Sequence, residues 1–423
     1  MFRYPILASA LIAIAAISPP RPSIAARQAT PTRLPPGFTM LRSSEASEAQ
    51  RAAMSQKLGA KITKLSNSVL SIRGHPLQMN LINCSTPNEA AEIYETILAM
   101  KQHPAFCLNI GSSVVEFVSH DPALAIMAAF ELGFKNKPEQ TTYRISFQAA
   151  PVEKADYTSW DKLSNLFLAA YNDPNNLALK QRVDLTSEKF KFGDAITLRT
   201  AGTQQTRPSY LLDPNAAKKT ILSDGELTKY TFKSLPSKLD IPCVSLTATI
   251  QTTGRAQVPT TRKPGPELLG PTELWPCDDP QIIALAKKIT ADCNTPQEKT
   301  EAILKWLRPG TNISFPRSVS ASRYGVKKTL SQKFGQSWDF SDCFVTLARA
   351  SQIPSRQVAG WFYALSGHIW AEVLYEDQGW QQVDPTGGGL VKCGIYHIPY
   401  ITSEDGTMSV LYLSKPKIEL LDN

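Results

Sequence analysis

The sequence predicts a multidomain α+β protein. Three observations carry this reading. Helix-opening signals alternate with short strand patterns at both ends, the middle follows the two-residue period of β-strands, and proline-rich stretches separate the parts. At 423 residues the chain has room for two or three domains. The expected order is a leader over 1–25, a Pro-rich or irregular linker over 26–60 and a small α+β module over 61–140. A β-rich domain over 141–258, a second Pro-rich linker over 259–277 and a C-terminal α+β domain over 278–423 follow.

The leader is defined by Met1-Phe2-Arg3, an apolar run from Ile6 to Ile17, and the small residues Ser23-Ile24-Ala25-Ala26. A basic start, a short apolar core and a small-residue site read as a secretory signal, with cleavage expected after Ala25. A bilayer span wants about twenty apolar residues, so the run is too short for one. The mature chain is therefore expected to be exported (periplasmic, cell-surface or secreted) without a transmembrane segment; an uncleaved anchor is the alternative. The formal charge of +8 is spread thinly, and no basic cluster interleaves with aromatics. That pattern argues against nucleic acid and leaves a weak attraction to anionic cell-envelope material.

Seven cysteines at 84, 107, 243, 277, 293, 343 and 393 show no C-x-x-C pair, which excludes a zinc or redox motif of recognisable spacing. Cys277–Cys293 and Cys343–Cys393 are open as disulfides in an oxidising compartment, and buried free thiols are the default. No metal, acidic calcium loop or organic cofactor is indicated.

In the small module, Val69-Leu70-Ser71-Ile72 and Val114-Val115-Glu116-Phe117-Val118 predict strands. Thr86-Pro87-Asn88-Glu89 is a capping box opening a helix to about Met100, and Asp121-Pro122 opens another through Leu132. In the β-rich region, Val244, Leu246, Ala248 and Ile250 alternate with Ser245, Thr247 and Thr249, the mark of a half-buried strand. Asp224-Gly225 signals a hairpin, and one helix near Trp160–Tyr171 interrupts the pattern. The last domain opens with Asp279-Pro280 ahead of Ile282, Ile283, Leu285, Ala286 and Ile289. Thr295-Pro296-Gln297-Glu298 then caps a helix carrying Ile303, Leu304 and Leu307.

The chemistry concentrates further on. Gly335-Gln336-Ser337-Trp338-Asp339-Phe340 leads into Leu347-Ala348-Arg349-Ala350, then Ile353-Pro354-Ser355-Arg356 and Val358-Ala359-Gly360. His368-Ile369-Trp370-Ala371-Glu372 and Trp380-Gln381-Gln382-Val383-Asp384-Pro385-Thr386 complete the set. Nucleophile position, imidazole and carboxylate stand in the order that an activated nucleophile, its base and an orienting group require. Only five histidines occur in the chain, so one at this place is informative. Cys343 could rival Ser337 as the nucleophile. It would lie ~9 Å further along the helix and about 240° round. It would also miss the free N–H groups and positive dipole end of the first turn.

These landmarks resemble the transglutaminase-like superfamily over roughly 278–390. Its members carry Gly-x-Cys-x-Asp-Phe, Ile-Pro-x-Arg, His-x-Trp-x-Glu and Trp-x-x-Val-Asp-Pro-Thr in this order. Here Ser337 stands where the family has Cys. The resemblance implies a papain-like domain with the Ser337 helix packed on strands 356–363, 368–375 and 379–384, preceded by a sandwich-like β domain. It implies acyl transfer or hydrolysis at amide or peptide bonds of a protein or peptide substrate, with catalytic residues Ser337, His368 and Asp384. Trp338 and Trp370 are candidate cleft residues, and the Ser337 N–H is the candidate oxyanion donor. A hydroxyl cannot be pre-ionised as a thiol can, so Ser337 would depend on His368 as general base. A catalytically inactive domain that binds peptide or envelope material is the reading from the other class.

Overall fold

The computed structural model describes residues 34–421 except 36, 100–104, 120, 156–159, 174, 187–189, 200–208, 213–215, 223–225, 233–243, 254–256, 259, 317–322, 365 and 388–392. The leader expected over 1–25, Cys243 and the Asp224-Gly225 turn lie outside the described residues. The chain divides into two compact units, one made of 1–137 with 363–365, the other of 138–362 with 366–423.

The first unit is a five-stranded antiparallel sheet in the order Phe38–Glu45, Ile62–Ile72, His75–Cys84, Ser113–Val118, Ala105–Ile110. Helices Glu48–Leu58 and Pro87–Ala99 cover one face, where Met54, Leu58, Ile62, Leu65, Ile82, Ala90 and Ile93 share a core. Both helices carry a capping box or its acidic half: Ser47 Oγ accepts from Gln50 N, and Glu89 accepts from Thr86 N. Asp121 accepts the Ala123 N–H and starts helix Pro122–Glu131, as its sequence predicts. Residues 38–58 differ from expectation. In place of an irregular linker they form the outer strand of this sheet and its first covering helix.

In the second unit the long strand Gln140–Ala155 is the organising element. It pairs with Val244–Thr253 on one side and, on the other, with Val410–Tyr412 and Lys417–Leu421 from the end of the chain. The β-rich region thus includes residues expected to belong to the C-terminal domain. A separate three-stranded sheet runs Ala216–Leu222, Leu227–Phe232, Ala195–Arg199. Helix Trp160–Asn172 appears where predicted, and a second helix, Leu177–Thr186, was not anticipated.

The stretch expected as a linker over 259–277 is packed rather than free. Leu268 and Trp275 are fully buried, and Arg262 is bound by Glu226, Glu267 and Glu404. Helices Pro280–Ile289 and Pro296–Leu307, capped by Asp279 and Thr295, pack on helix Ser337–Ala350. That central helix is buried on nearly every side, with Phe340, Cys343, Phe344, Val345, Leu347 and Ala348 fully enclosed. Its polar residues Asp339, Ser341, Asp342 and Arg349 are buried as well, and each is hydrogen-bonded, which is what a core helix requires of them. Its partner sheet is antiparallel, in the order Gln257–Val258, Gly379–Val383, Ser366–Tyr375, Ser355–Phe362, His397–Ser403. The outer strand His397–Ser403 extends the three-stranded layout read from the sequence. Among the described residues no helix is long and apolar enough to cross a membrane.

Candidate active site

Three of the bonds that tie the central helix to the sheet fix its direction. Ser341 Oγ donates to the Trp370 carbonyl at 2.7 Å, Ser355 Oγ donates to the Val345 carbonyl at 3.3 Å, and Arg349 donates through Nε to the Ser355 carbonyl at 3.1 Å. Ser355 pairs with Val373 across the sheet. Helix Ser337–Ala350 and strand Ser366–Tyr375 therefore run in the same direction, with Ser337 and His368 at their leading ends. The neighbouring strand stops at Val383, which pairs with Ala371. The Trp370 carbonyl is thus available to Ser341, and the helix's first turn comes to the open edge of the strand. Ser337 lies one helical turn ahead of Ser341, and His368 one pleat ahead of Trp370, each about 6 Å.

Two glycines make this approach possible. A Cβ on Gly335 would sit 2.6 Å from Asp339 Cβ, and one on Gly360 would sit 2.1 Å from the Ile398 carbonyl and 2.6 Å from Trp370 Cη2. Gly360 is the residue opposite His368. A side chain there would push the outer strand and the Trp370 ring away from the histidine.

Asp339 completes the helix start. Its carboxylate accepts from Gln336 N at 2.9 Å and Tyr324 N at 2.6 Å. Burial pushes its pKa up to about 6 against those bonds. Asp339 serves the cap, and among the described residues the hydroxyl of the half-buried Ser337 has no hydrogen-bond partner. Asp342 is held by Arg323 through Nε at 2.6 Å, by Trp275 Nε1 at 2.8 Å and by Gln357 Nε2 at 2.9 Å. Such pairing is what lets two carboxylates sit inside a core helix.

His368 and Asp384 are joined. Nε2 of His368 lies 2.9 Å from Asp384 Oδ2, and among the described residues Nδ1 has no hydrogen-bond partner. A neutral imidazole donating through Nε2 presents a lone pair at Nδ1, the arrangement of a general base. Asp384 is 1% exposed and accepts four bonds. Its Oδ1 takes Thr386 N at 2.9 Å and Thr386 Oγ1 at 2.6 Å; its Oδ2 takes His368 and, at 3.2 Å, His397 Nε2. Burial alone would raise the Asp384 pKa, but the His368 imidazole and the hydrogen bonds from both histidines carry it well below the usual carboxylate range. His397 was missed by sequence reasoning. Its scarcity was the available signal, but no local motif ties it to Asp384.

Of the sequence-predicted residues, the structure brings His368 and Asp384 into contact. Ser337 is placed at the same end of the helix–strand pair without a hydrogen bond to either. Trp370 and Trp338 are buried, so neither forms an open cleft wall. Trp370 stacks beside His368 with ring centroids 5.9 Å apart, and the Arg323 guanidinium lies 4.7 Å from the Trp338 ring centroid. Cys343 is fully buried in the core, and burial, reinforced by Asp339 and Asp342, pushes its thiol well above its ordinary pKa. It is therefore an inert thiol. The six described cysteines form no disulfide.

Two imidazoles and a carboxylate within 4.8 Å of one another also form a donor set of metal-binding type. The wiring behind them is of another kind. Gly394 N donates to His397 Nδ1 at 3.3 Å, which leaves the proton on Nε2. A metal on Nε2 would need that proton removed and Nδ1 turned into a donor. The residues fit hydrogen bonding rather than coordination.

The fold is that of a papain-like α+β domain, with a carboxylate-held histidine on the strand that runs beside the central helix. Residues 283–385 match the model of the transglutaminase-like superfamily, and the chain carries a domain of that family. Curated protein sequences give no match. Among solved structures, a provisionally assigned cysteine protease from Cytophaga hutchinsonii is similar with a TM-score of 0.41 and 14% identity, over 68% of this chain and 92% of that one. The periplasmic domain of TgpA from Pseudomonas aeruginosa, bound to ethylmercury, is similar with a TM-score of 0.31 and 15% identity, over 59% of this chain and 90% of that one.

Proposed function

We propose that this is an exported protein whose transglutaminase-like domain performs acyl transfer or hydrolysis at amide bonds of a protein or peptide substrate, with Ser337 as nucleophile. The observation that carries the reading is the pairing of an uncommitted hydroxyl with an uncommitted imidazole nitrogen at the same end of the helix–strand pair. Export rests on the leader sequence.

The chemistry balances without a cofactor. Ser337 Oγ attacks the carbonyl carbon as its proton passes to His368 Nδ1. The buried Asp384 carboxylate offsets the imidazolium, and the free N–H groups of the first helical turn, that of Ser337 included, face the oxyanion. His368 then returns the proton to the leaving amine. Water, or an acceptor amine, resolves the resulting ester by the same proton path.

A second reading is favoured by one observation: no hydrogen bond links Ser337 to His368, as expected of a domain that keeps the fold and binds without turning over. A fluorophosphonate probe separates the two. The catalytic reading expects covalent labelling that is lost in Ser337→Ala and in His368→Ala. An unlabelled, folded wild type leaves the binder. Ser337→Cys then reports on the scaffold, because a thiolate stabilised by His368 should react with iodoacetamide faster than any other cysteine of the folded chain.

A further inference from the structure

We propose that His397 is a positioning residue whose task is to reserve the charge of Asp384 for His368. This rests on the reading of His368 as the base. It adds a fourth member that the triad does not contain.

His397 opens the outer strand, where it pairs with Phe362, and Phe362 pairs in turn with Ser366 on the strand that bears His368. The two histidines thus reach Asp384 from strands separated by one other. Both of their Nε2 atoms meet the same oxygen, Oδ2, at 2.9 and 3.2 Å. The Phe362 ring stands edge-on to both imidazoles, at 6.1 Å from His368 and 4.9 Å from His397, and flanks the pair without offering a polar atom.

The Gly394 N–H decides what His397 can be. It donates to Nδ1, so that nitrogen must keep its lone pair and the proton must sit on Nε2, aimed at Asp384. Protonating Nδ1 would set two donors against each other. His397 is therefore held neutral, and it donates one hydrogen bond without competing as a second cation. Among the described residues, Asp384 and His368 are titratable groups that face it from the neighbouring elements. With Thr386 filling Oδ1, every lone-pair direction of the carboxylate is assigned except the one that His368 uses. The carboxylate can neither rotate nor take a second positive charge. When His368 accepts a proton, the full counter-charge answers it.

The test uses the full chain and imidazole-nitrogen NMR, which does not require Ser337 to react. The wild type should show His397 neutral, with the proton on Nε2, through the mildly acidic and neutral range. A charged His397, or one with its proton on Nδ1, overturns the proposal. His397→Met fills the space but donates nothing, and His368 should then lose its fixed Nε2–H form. His397→Gln keeps an N–H near Nε2 and should preserve it. Should labelling of Ser337 be detectable, His397→Met should slow it by about tenfold and shift its pH midpoint, while His397→Gln stays close to wild type. An unchanged His368 in a folded His397→Met also overturns the proposal. An unlabelled wild type with the expected nitrogen signals sinks the catalytic reading alone.

Discussion

Glu116 and Asp384 are both buried carboxylates, one in each unit, and they titrate in opposite directions. Glu116, on strand Ser113–Val118, accepts from Asn80 Nδ2 at 2.6 Å, and burial, against that bond, raises its pKa. Asp384 is more buried, yet its pKa is lowered, because the His368 imidazole and the hydrogen bonds from His368 and His397 favour the charged form. Burial penalises a charge in both places. The partners decide the sign. Glu116 reads as a polar strut in the ladder Asn67–Asn80–Glu116 across three strands, whereas Asp384 is arranged to stay ionised. Burial of an acid is thus no pointer to chemistry by itself.

The comparison is broken most forcefully at Asp384. Asp384→Asn keeps the shape but offers Oδ2's histidines an amide, and it frees His368 to flip its tautomer. Labelling of Ser337 should fall by about 10⁴-fold with the fold intact, read by probe kinetics. A small loss would mean that the carboxylate's charge is idle. No acid limb in the labelling profile should come from Asp384, since a lowered pKa keeps it ionised as pH falls through the ordinary carboxylate range.

A third carboxylate sharpens the rule with full cations as partners. Glu372, on the strand of His368, is fully buried and accepts from Arg199 Nη1 at 2.9 Å and Arg356 Nε at 2.8 Å. Arg356 continues to Glu226 at 2.6 Å and lies over Trp380, 3.6 Å from its ring centroid. Glu372→Leu leaves the buried Arg199 guanidinium without a carboxylate and takes one of two from Arg356, which keeps Glu226, so thermal or denaturant unfolding should register a loss of about 3–5 kcal/mol. A loss under about 1 kcal/mol would show that solvent or Thr402, which also accepts from Arg199, already satisfies them.

Much of this was legible in the sequence, and the reasons are local. Asp279-Pro280 and Thr295–Glu298 announce helix starts through caps that need only neighbouring residues. The central helix and the strand of His368 follow from motif order, and His368 stands 2.9 Å from Asp384. What failed was non-local. Ser47 with Gln50 is a capping box that a proline-rich label on 26–60 obscured. The pairing of Lys417–Leu421 with Gln140–Ala155 joins residues more than 250 apart, as the bond from Gln148 N to Ser414 Oγ shows with its separation of 266. No periodicity encodes such a partner. His397 was hidden for the same reason, since its place beside Asp384 depends on three strands aligning. The two tryptophans were misplaced because side-chain type says nothing of which face the sheet covers.

The smallest expected effect lies at Glu116, and its sign is the clearest check on the comparison. The unfolded chain releases this proton near the ordinary value of 4.5, while the folded chain holds it more tightly. Stability is then complete below 4.5 and falls as pH rises toward the folded pKa, the reverse of the Asp384 case. Glu116→Gln deletes the charge and leaves an amide oxygen to accept from Asn80. The variant should match wild type at about pH 4 and exceed it by about 1 kcal/mol at about pH 7, read from unfolding at both values. Were the variant less stable at neutral pH, an unseen donor would have to be holding Glu116 ionised, and the strut would have to be reconsidered as a second charged site.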